Sequence, residues 1–195
     1  MSVRAGILAV LTASEAYGLQ LHTELEIRTD RVGVINVGQI YSTLERLCAA
    51  GLVEAVGTTD DGLPLYGLTP AGTAEADSWL RDPALTGVSA WSDMVFKVLL
   101  ATSLEGDGAA PLLAGYRESW GASTAASPEV DSVDAGDESG PAAALARRLQ
   151  AEAAIRWIDE VGALPGGLEG LRRPLRNERP RRGRRPVSTS EQRDR

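Results

Sequence analysis

A chain of 195 residues, 43% of them hydrophobic, can build one medium domain or two small ones around a packed core. Its formal charge of -7 is unevenly spread: residues 172–195 hold ten arginines and a surplus of +7, leaving residues 1–171 at -14, so the body cannot attract a polyanion through its overall field. A single cysteine, Cys48, and a single histidine, His22, exclude an internal disulfide, the usual zinc sites and His-dependent triads; no metal and no cofactor are expected, and His22, with no second histidine or cysteine near it, reads as a surface residue rather than a ligand.

No apolar run approaches the ~20 residues that would span a bilayer. The N-terminal stretch Met1 to Leu11 is apolar but lacks the charged region and cleavage site of a signal peptide. A cytoplasmic protein without membrane contact is therefore expected.

Val3, Ile7, Leu8, Val10 and Leu11 repeat at helical spacing and predict a first amphipathic helix. After a break at Ser14 to Gly18, Leu21 and Leu25 mark the buried stripe of a second helix that ends between Arg28 and Val34. Asn36 is placed to cap a third helix, which runs to about Ala50 and stops at Gly51. Ile40, Leu44, Leu47 and Cys48 share its inner face, and Gln39, Ser42, Thr43 and Arg46 form a polar stripe at i, i+3, i+4 and i+7. Leu52 to Val56 and Leu65 to Leu68, joined through Asp61-Gly62, predict a β-hairpin. Thr69-Pro70 then caps and opens a fourth helix that ends near Leu80.

Beyond it, residues 86–120 form a second helical stretch. Ser123 to Gly140 reads as a flexible acidic loop, Pro141 to Gly162 as a long Ala-rich helix, and the Arg and Pro-rich residues 172–195 as a disordered tail. The fold class is thus mainly α: a winged helix-turn-helix domain with a small β-hairpin wing over 1–82, followed by a C-terminal α-helical domain over 86–165. The chain has no Gly-rich phosphate loop, nucleophile elbow or metal cluster, so an enzyme is not expected.

A recognition helix needs an apolar back and a hydrogen-bonding front to lie in the major groove. On the third helix Gln39 suits adenine, Arg46 guanine or phosphate, and Ser42 and Thr43 phosphate or a thymine methyl. The bland alternative is a solvated helix face. Ala5 to Leu11, Tyr17-Gly18, Gly38-Gln39-Ile40-Tyr41-Ser42-Thr43-Leu44-Glu45-Arg46-Leu47, Gly51-Leu52-Val53 and Leu68-Thr69-Pro70-Ala71-Gly72 occur in an order and spacing that closely resemble the PadR-like regulators. Asp93 to Ala101 is similar, less sharply, to a run in that family's C-terminal helical domain.

The resemblance adds Tyr41 to the DNA-binding set. It implies a transcriptional repressor that binds double-stranded operator DNA as a homodimer, through C-terminal helices, and answers a small-molecule effector whose identity sequence does not give. Trp91, Phe96, Trp120, Trp157 and Ile158 are the candidates for an effector pocket or dimer interface, Trp157 lying on a stripe with Ala154, Ile158 and Val161, while plain core or seam packing is the commoner role of any single tryptophan. Two features depart from the family. The wing stretch Asp60 to Tyr66 has two acids and no base, and the arginine-rich tail is an addition: a DNA arm, a solvated appendage, or a segment that associates with the acidic body. The acidic wing supports an alternative: a winged-helix protein-interaction module that has lost specific DNA binding.

Overall fold

The computed structural model describes residues 2–31, 35–85, 90–125 and 141–176. The elements follow as α1 (Val3–Leu11), α2 (Gly18–Arg28), α3 (Val37–Ala49), β1 (Val53–Thr58), β2 (Pro64–Leu68), α4 (Pro70–Arg81), α5 (Ala90–Ser103), α6 (Ala109–Ala125), α7 (Pro141–Gly162) and a 3-10 turn, Leu168–Leu171. This is the expected mainly helical winged-helix order.

Local chemistry sets the boundaries. The side chains of Ser2, Asn36 and Thr69 accept from the backbone N–H groups of Ala5, Gln39 and Gly72 and so cap α1, α3 and α4. Gly51, at φ 68°, ends α3 by turning the chain left-handed, and Leu52 N–H reaches back to the Leu47 carbonyl. β1 and β2 pair antiparallel from Val53 opposite Leu68 to Thr58 opposite Pro64, with an irregularity between Ala55 and Gly57. Ala16 adds a bridge to Tyr66, donating and accepting across 3.1 and 3.0 Å, so the break before α2 is tied to the wing.

Two cores form. The first gathers Ile7, Leu8, Leu21, Leu25, Ile40, Leu44, Leu47 and Val53, and it also takes Phe96, Leu100 and Leu104 from α5 and its end. The second gathers Met94, Val98, Leu112, Tyr116, Trp120, Ala151, Ala154 and Ile158 from α5, α6 and α7. α5 therefore belongs to both, which blurs the expected division near residues 82–86.

Gly72 shows how tight the first core is. A Cβ there would lie 1.9 Å from the carbonyl oxygen of Leu52, a backbone atom that cannot rotate away. Thr69 works at the same corner: its hydroxyl donates to the Gly51 carbonyl at 2.7 Å and its N–H to the Leu52 carbonyl at 3.1 Å.

The polar interior is paired. Arg28 and Glu24 form a buried ion pair at 2.8 Å within α2. Lys97, also buried, donates to the Asp82 carbonyl and sits over the rings of Trp79 and Tyr116, at 4.8 and 5.9 Å from their centroids. Burial lowers the Lys97 pKa, with Asp82 pulling the other way. Burial, aided by Asp82, pushes the Tyr116 phenol up to about 12.

Three expectations change here. The helix expected to stop short of Ser123 continues, as α6, to Ala125; residues 126–140 of the acidic loop lie outside the described residues. The tail does not begin at residue 172: Arg172 to Arg176 are seated on the first core, where Leu175 packs, and only 177–195 fall outside the described residues. The backbone groups of that segment find fixed partners, which composition alone does not reveal. Finally, His22, expected at the surface, is mostly enclosed, and its Nε2 meets the Ile35 carbonyl at 2.8 Å, joining α2 to the approach to α3.

Gly72→Ala should cost about 2–3 kcal/mol, since overpacking against a fixed backbone atom has no cheap relief; chemical denaturation of the pure protein measures it. Alkaline pH should act through Tyr116. Its folded pKa lies above the unfolded one, so the unfolded state ionises first and stability falls between pH 10 and about 12, by up to about 2–3 kcal/mol. Lys97, lowered on folding, acts oppositely below its ordinary 10.5. Urea unfolding across pH 9 to 11.5 should show the loss reduced in Tyr116→Phe.

Candidate nucleic-acid interface

α3 presents an outward face because its apolar residues occupy the other side. Ile40, Leu44 and Leu47 are fully buried, whereas Val37, Gly38, Gln39, Tyr41, Ser42, Glu45 and Arg46 are exposed. Its N-terminal turn is held by Asn36, whose Oδ1 accepts from Gln39 N–H at 2.9 Å, leaving the Gln39 side chain outside.

Four of the five expected contact residues stand on this face: Gln39, Tyr41, Ser42 and Arg46. Thr43 does not. It is 4% exposed, because i+4 from Gln39 rotates it toward the core, and its hydroxyl accepts from Arg46 at 3.3 Å. This corrects its assignment as a direct contact. Arg46 also donates through Nε to the Ser42 carbonyl at 3.0 Å, so its guanidinium lies folded along its own helix and must swing out to reach a groove. Gly38 and Glu45 complete the face and were missed; the signal was available, since both lie across the helical wheel from Ile40 and Leu44, whereas Val37 shares their side and is exposed at the first turn of the helix.

Tyr41 explains the Tyr17-Gly18 pair. Its ring covers the first turn of α2, and a Cβ on Gly18 would come within 2.6 Å of it. Tyr17 itself is the residue preceding that helix and is nearly buried.

The wing flanks this face without positive charge: between Val53 and Leu68 the chain carries Glu54, Asp60 and Asp61 and no lysine or arginine. The Thr59 hydroxyl donates to Asp61 at 2.6 Å across the turn. Cys48, half-buried near the end of α3, has its thiol pushed up by burial, which disfavours the reactive thiolate.

The aromatic candidates separate. Phe96 is fully buried in the first core, edge-on to Trp79 with centroids 6.4 Å apart. Trp120 and Ile158 are buried in the second, the Trp120 indole donating to the Met94 sulfur at 3.0 Å. All three are buried within the single chain, which favours the core-packing reading over a place at a surface shared with a second copy. The stripe of Ala154, Ile158 and Val161 is likewise covered, by α6, because the helical domain supplies its own partner. Trp91 and Trp157, half-buried, meet edge-on at 5.8 Å on the flank of that core. Exposed apolar side chains on α7 are instead Leu145 and Leu149, on the opposite side of the helix. A cleft of about 180 Å³ between α1, α4, α5 and the start of α6 is lined by Thr12, Asp77, Arg81, Glu105 and Asp107 among others.

Residues 7–78 match the family described as "Transcriptional regulator PadR-like family". That part of the chain is similar to the PadR-like family. Its members are transcriptional regulators rather than enzymes. Among solved structures, Bacillus subtilis PadR in complex with operator DNA is 18% identical, with 81% of this chain and 94% of that chain covered and a TM-score of 0.39. The same Bacillus subtilis protein in complex with p-coumaric acid is 16% identical, with 87% and 98% covered and a TM-score of 0.39. The smu.1604c protein of Streptococcus mutans UA159 is 20% identical, with 84% and 100% covered and a TM-score of 0.38. No curated protein matches the chain significantly. Among the described residues no helix is long and apolar enough to cross a membrane.

The burial difference along α3 has a direct check. Gln39→Ala, on the exposed face, should change stability by less than about 0.5 kcal/mol, whereas Thr43→Ala should cost about 1 kcal/mol or more. Thermal and urea unfolding of the two variants in parallel decide this.

Proposed function

We propose that this PadR-like transcriptional regulator binds operator DNA as a homodimer, represses the gene beside it and responds to a small-molecule effector. The observation that carries the DNA-binding reading is the outward face of α3: a capped N-terminus with Gln39, Tyr41, Ser42 and Arg46 exposed over an apolar back. Gln39 offers the bidentate amide suited to adenine, and Arg46, once released from Ser42, the fork suited to guanine or phosphate. The family of residues 7–78 supports regulation, and the operator and p-coumaric acid complexes of the Bacillus subtilis protein make DNA and a small organic effector reasonable partners to test.

For the dimer, Leu145 and Leu149 on α7 supply the apolar surface that a two-fold copy would cover. Recognition helices in such a dimer should stand one turn of DNA apart, roughly 34 Å. Sedimentation should give a dimer at micromolar concentration that Leu149→Glu dissociates; a folded wild-type monomer would overturn this arrangement.

The acidic wing favours one other reading, a protein-interaction module without specific DNA binding. Binding to the DNA upstream of its own gene separates the two. Gln39→Ala and Arg46→Ala should each weaken specific binding by about 1–3 kcal/mol, and random DNA should be affected less. Removing residues 177–195, beyond the seated segment, should lower affinity for all sequences and flatten the salt dependence by about 0.9 per lost phosphate contact if those arginines grip the backbone. No binding to that DNA at low salt would favour the interaction module.

A further inference from the structure

The buried Glu24–Arg28 pair is completed by main-chain groups from the far end of the chain. Arg28 donates through Nη1 to the carbonyl and hydroxyl oxygens of Ser103, at 2.7 and 3.1 Å, and through Nη2 to the carbonyl of Arg173 at 2.9 Å. Glu24 Oε1 accepts from the N–H of Arg176 at 3.0 Å, while its other oxygen holds Arg28. Gln20 donates to the Arg176 carbonyl at 3.0 Å, and the N–H of Arg173 donates to Ser103 at 2.9 Å. Every main-chain polar group of Arg173 and Arg176 is thus engaged.

Groups at i and i+3 face the same wall, which is the three-residue repeat of a polyproline-II helix. Arg172, at φ -63° and ψ 138°, has that geometry, and Pro174 favours it on both sides. Pro174 is also the residue whose missing N–H goes unused. Leu175 adds the apolar anchor, packing on the first core. The Arg173 and Arg176 guanidinium groups play no part in these bonds, so the wall recognises backbone shape and one leucine.

We propose that Gln20, Glu24, Arg28 and Ser103 form a peptide-binding groove for a polyproline-II segment, occupied in cis by Arg173 to Arg176, and that this occupancy fixes the start of the arginine-rich residues 177–195 on the N-terminal domain. The groove operates whether or not the chain binds DNA. A cis occupant carried on the same folded chain meets the groove without the cost of bimolecular association, so it excludes a dilute free peptide until its own anchor is weakened.

Hydrogen exchange on the full chain tests the seating. The Arg173 and Arg176 amides should exchange about a hundredfold slower than in a free peptide. In Arg28→Lys, which keeps the charge but loses the fork, both should lose protection together while the amide of Leu25 in α2 keeps its own. A labelled peptide of residues 170–178 should then bind full-length Leu175→Asp and bind wild type about tenfold more weakly or less, read by fluorescence anisotropy. Unprotected amides in wild type, equal binding to both chains, or binding to neither would overturn the groove. Protection that vanishes on dilution would place a second copy's segment there and overturn the cis assignment.

Discussion

Helix α5 is apolar on more than one side, and the molecule is organised by how it shares those sides. Phe96 and Leu100 enter the core of the winged-helix domain, Met94 and Val98 that of the helical domain. The sharing depends on Gly6: a Cβ there would lie 2.9 Å from the Phe96 ring and 3.0 Å from Leu25. Because interiors are packed as tightly as crystals, a helix held between two cores cannot rotate in one without disturbing the other. Lys97 reinforces the joint from the side, binding the Asp82 carbonyl at the end of α4 while lying over Trp79 and Tyr116.

Periodicity and capping residues made the N-terminal half legible. Asn36, Gly51, Asp61-Gly62 and Thr69-Pro70 each impose a local conformation that needs little help from elsewhere, so the order of helices and hairpin could be read directly. The outward face of α3 was legible in part: Gln39, Tyr41, Ser42 and Arg46 were named, while Gly38 and Glu45 were missed. Thr43 was misplaced because a stripe at i, i+3, i+4 and i+7 is wide enough to run over the edge of the buried face. Long-range packing stayed hidden. Nothing in the Trp157 stripe says whether α6 or a second copy covers it, and nothing in Arg172 to Arg176 announces that α2 holds a buried pair waiting for backbone partners.

Charge is arranged unlike the fold. The wing offers Glu54, Asp60 and Asp61, and Arg46 is held on its own helix, so the exposed front of the domain has little free positive charge to meet phosphate. Arg173 to Arg176 are joined to the same domain through α2, on the flank that carries Gln20 and Glu24. That attachment places the main chain of Arg173 and Arg176 on the flank of the N-terminal domain.

The four tryptophans fall into environments distinct enough to serve as built-in optical reporters. Trp79 lies beneath a buried ammonium and beside Phe96, at the joint between the cores. Trp120 is sealed in the helical core with its indole on the Met94 sulfur. Trp91 and Trp157 form an edge-on pair, half in water, on the flank of the same core. Intrinsic emission therefore carries separable signals: a change confined to the red-shifted, quencher-accessible component speaks for the Trp91–Trp157 flank, and a change in the blue component for the interior. Reorganisation of the helical domain on meeting a ligand or a second chain can be followed in unlabelled protein.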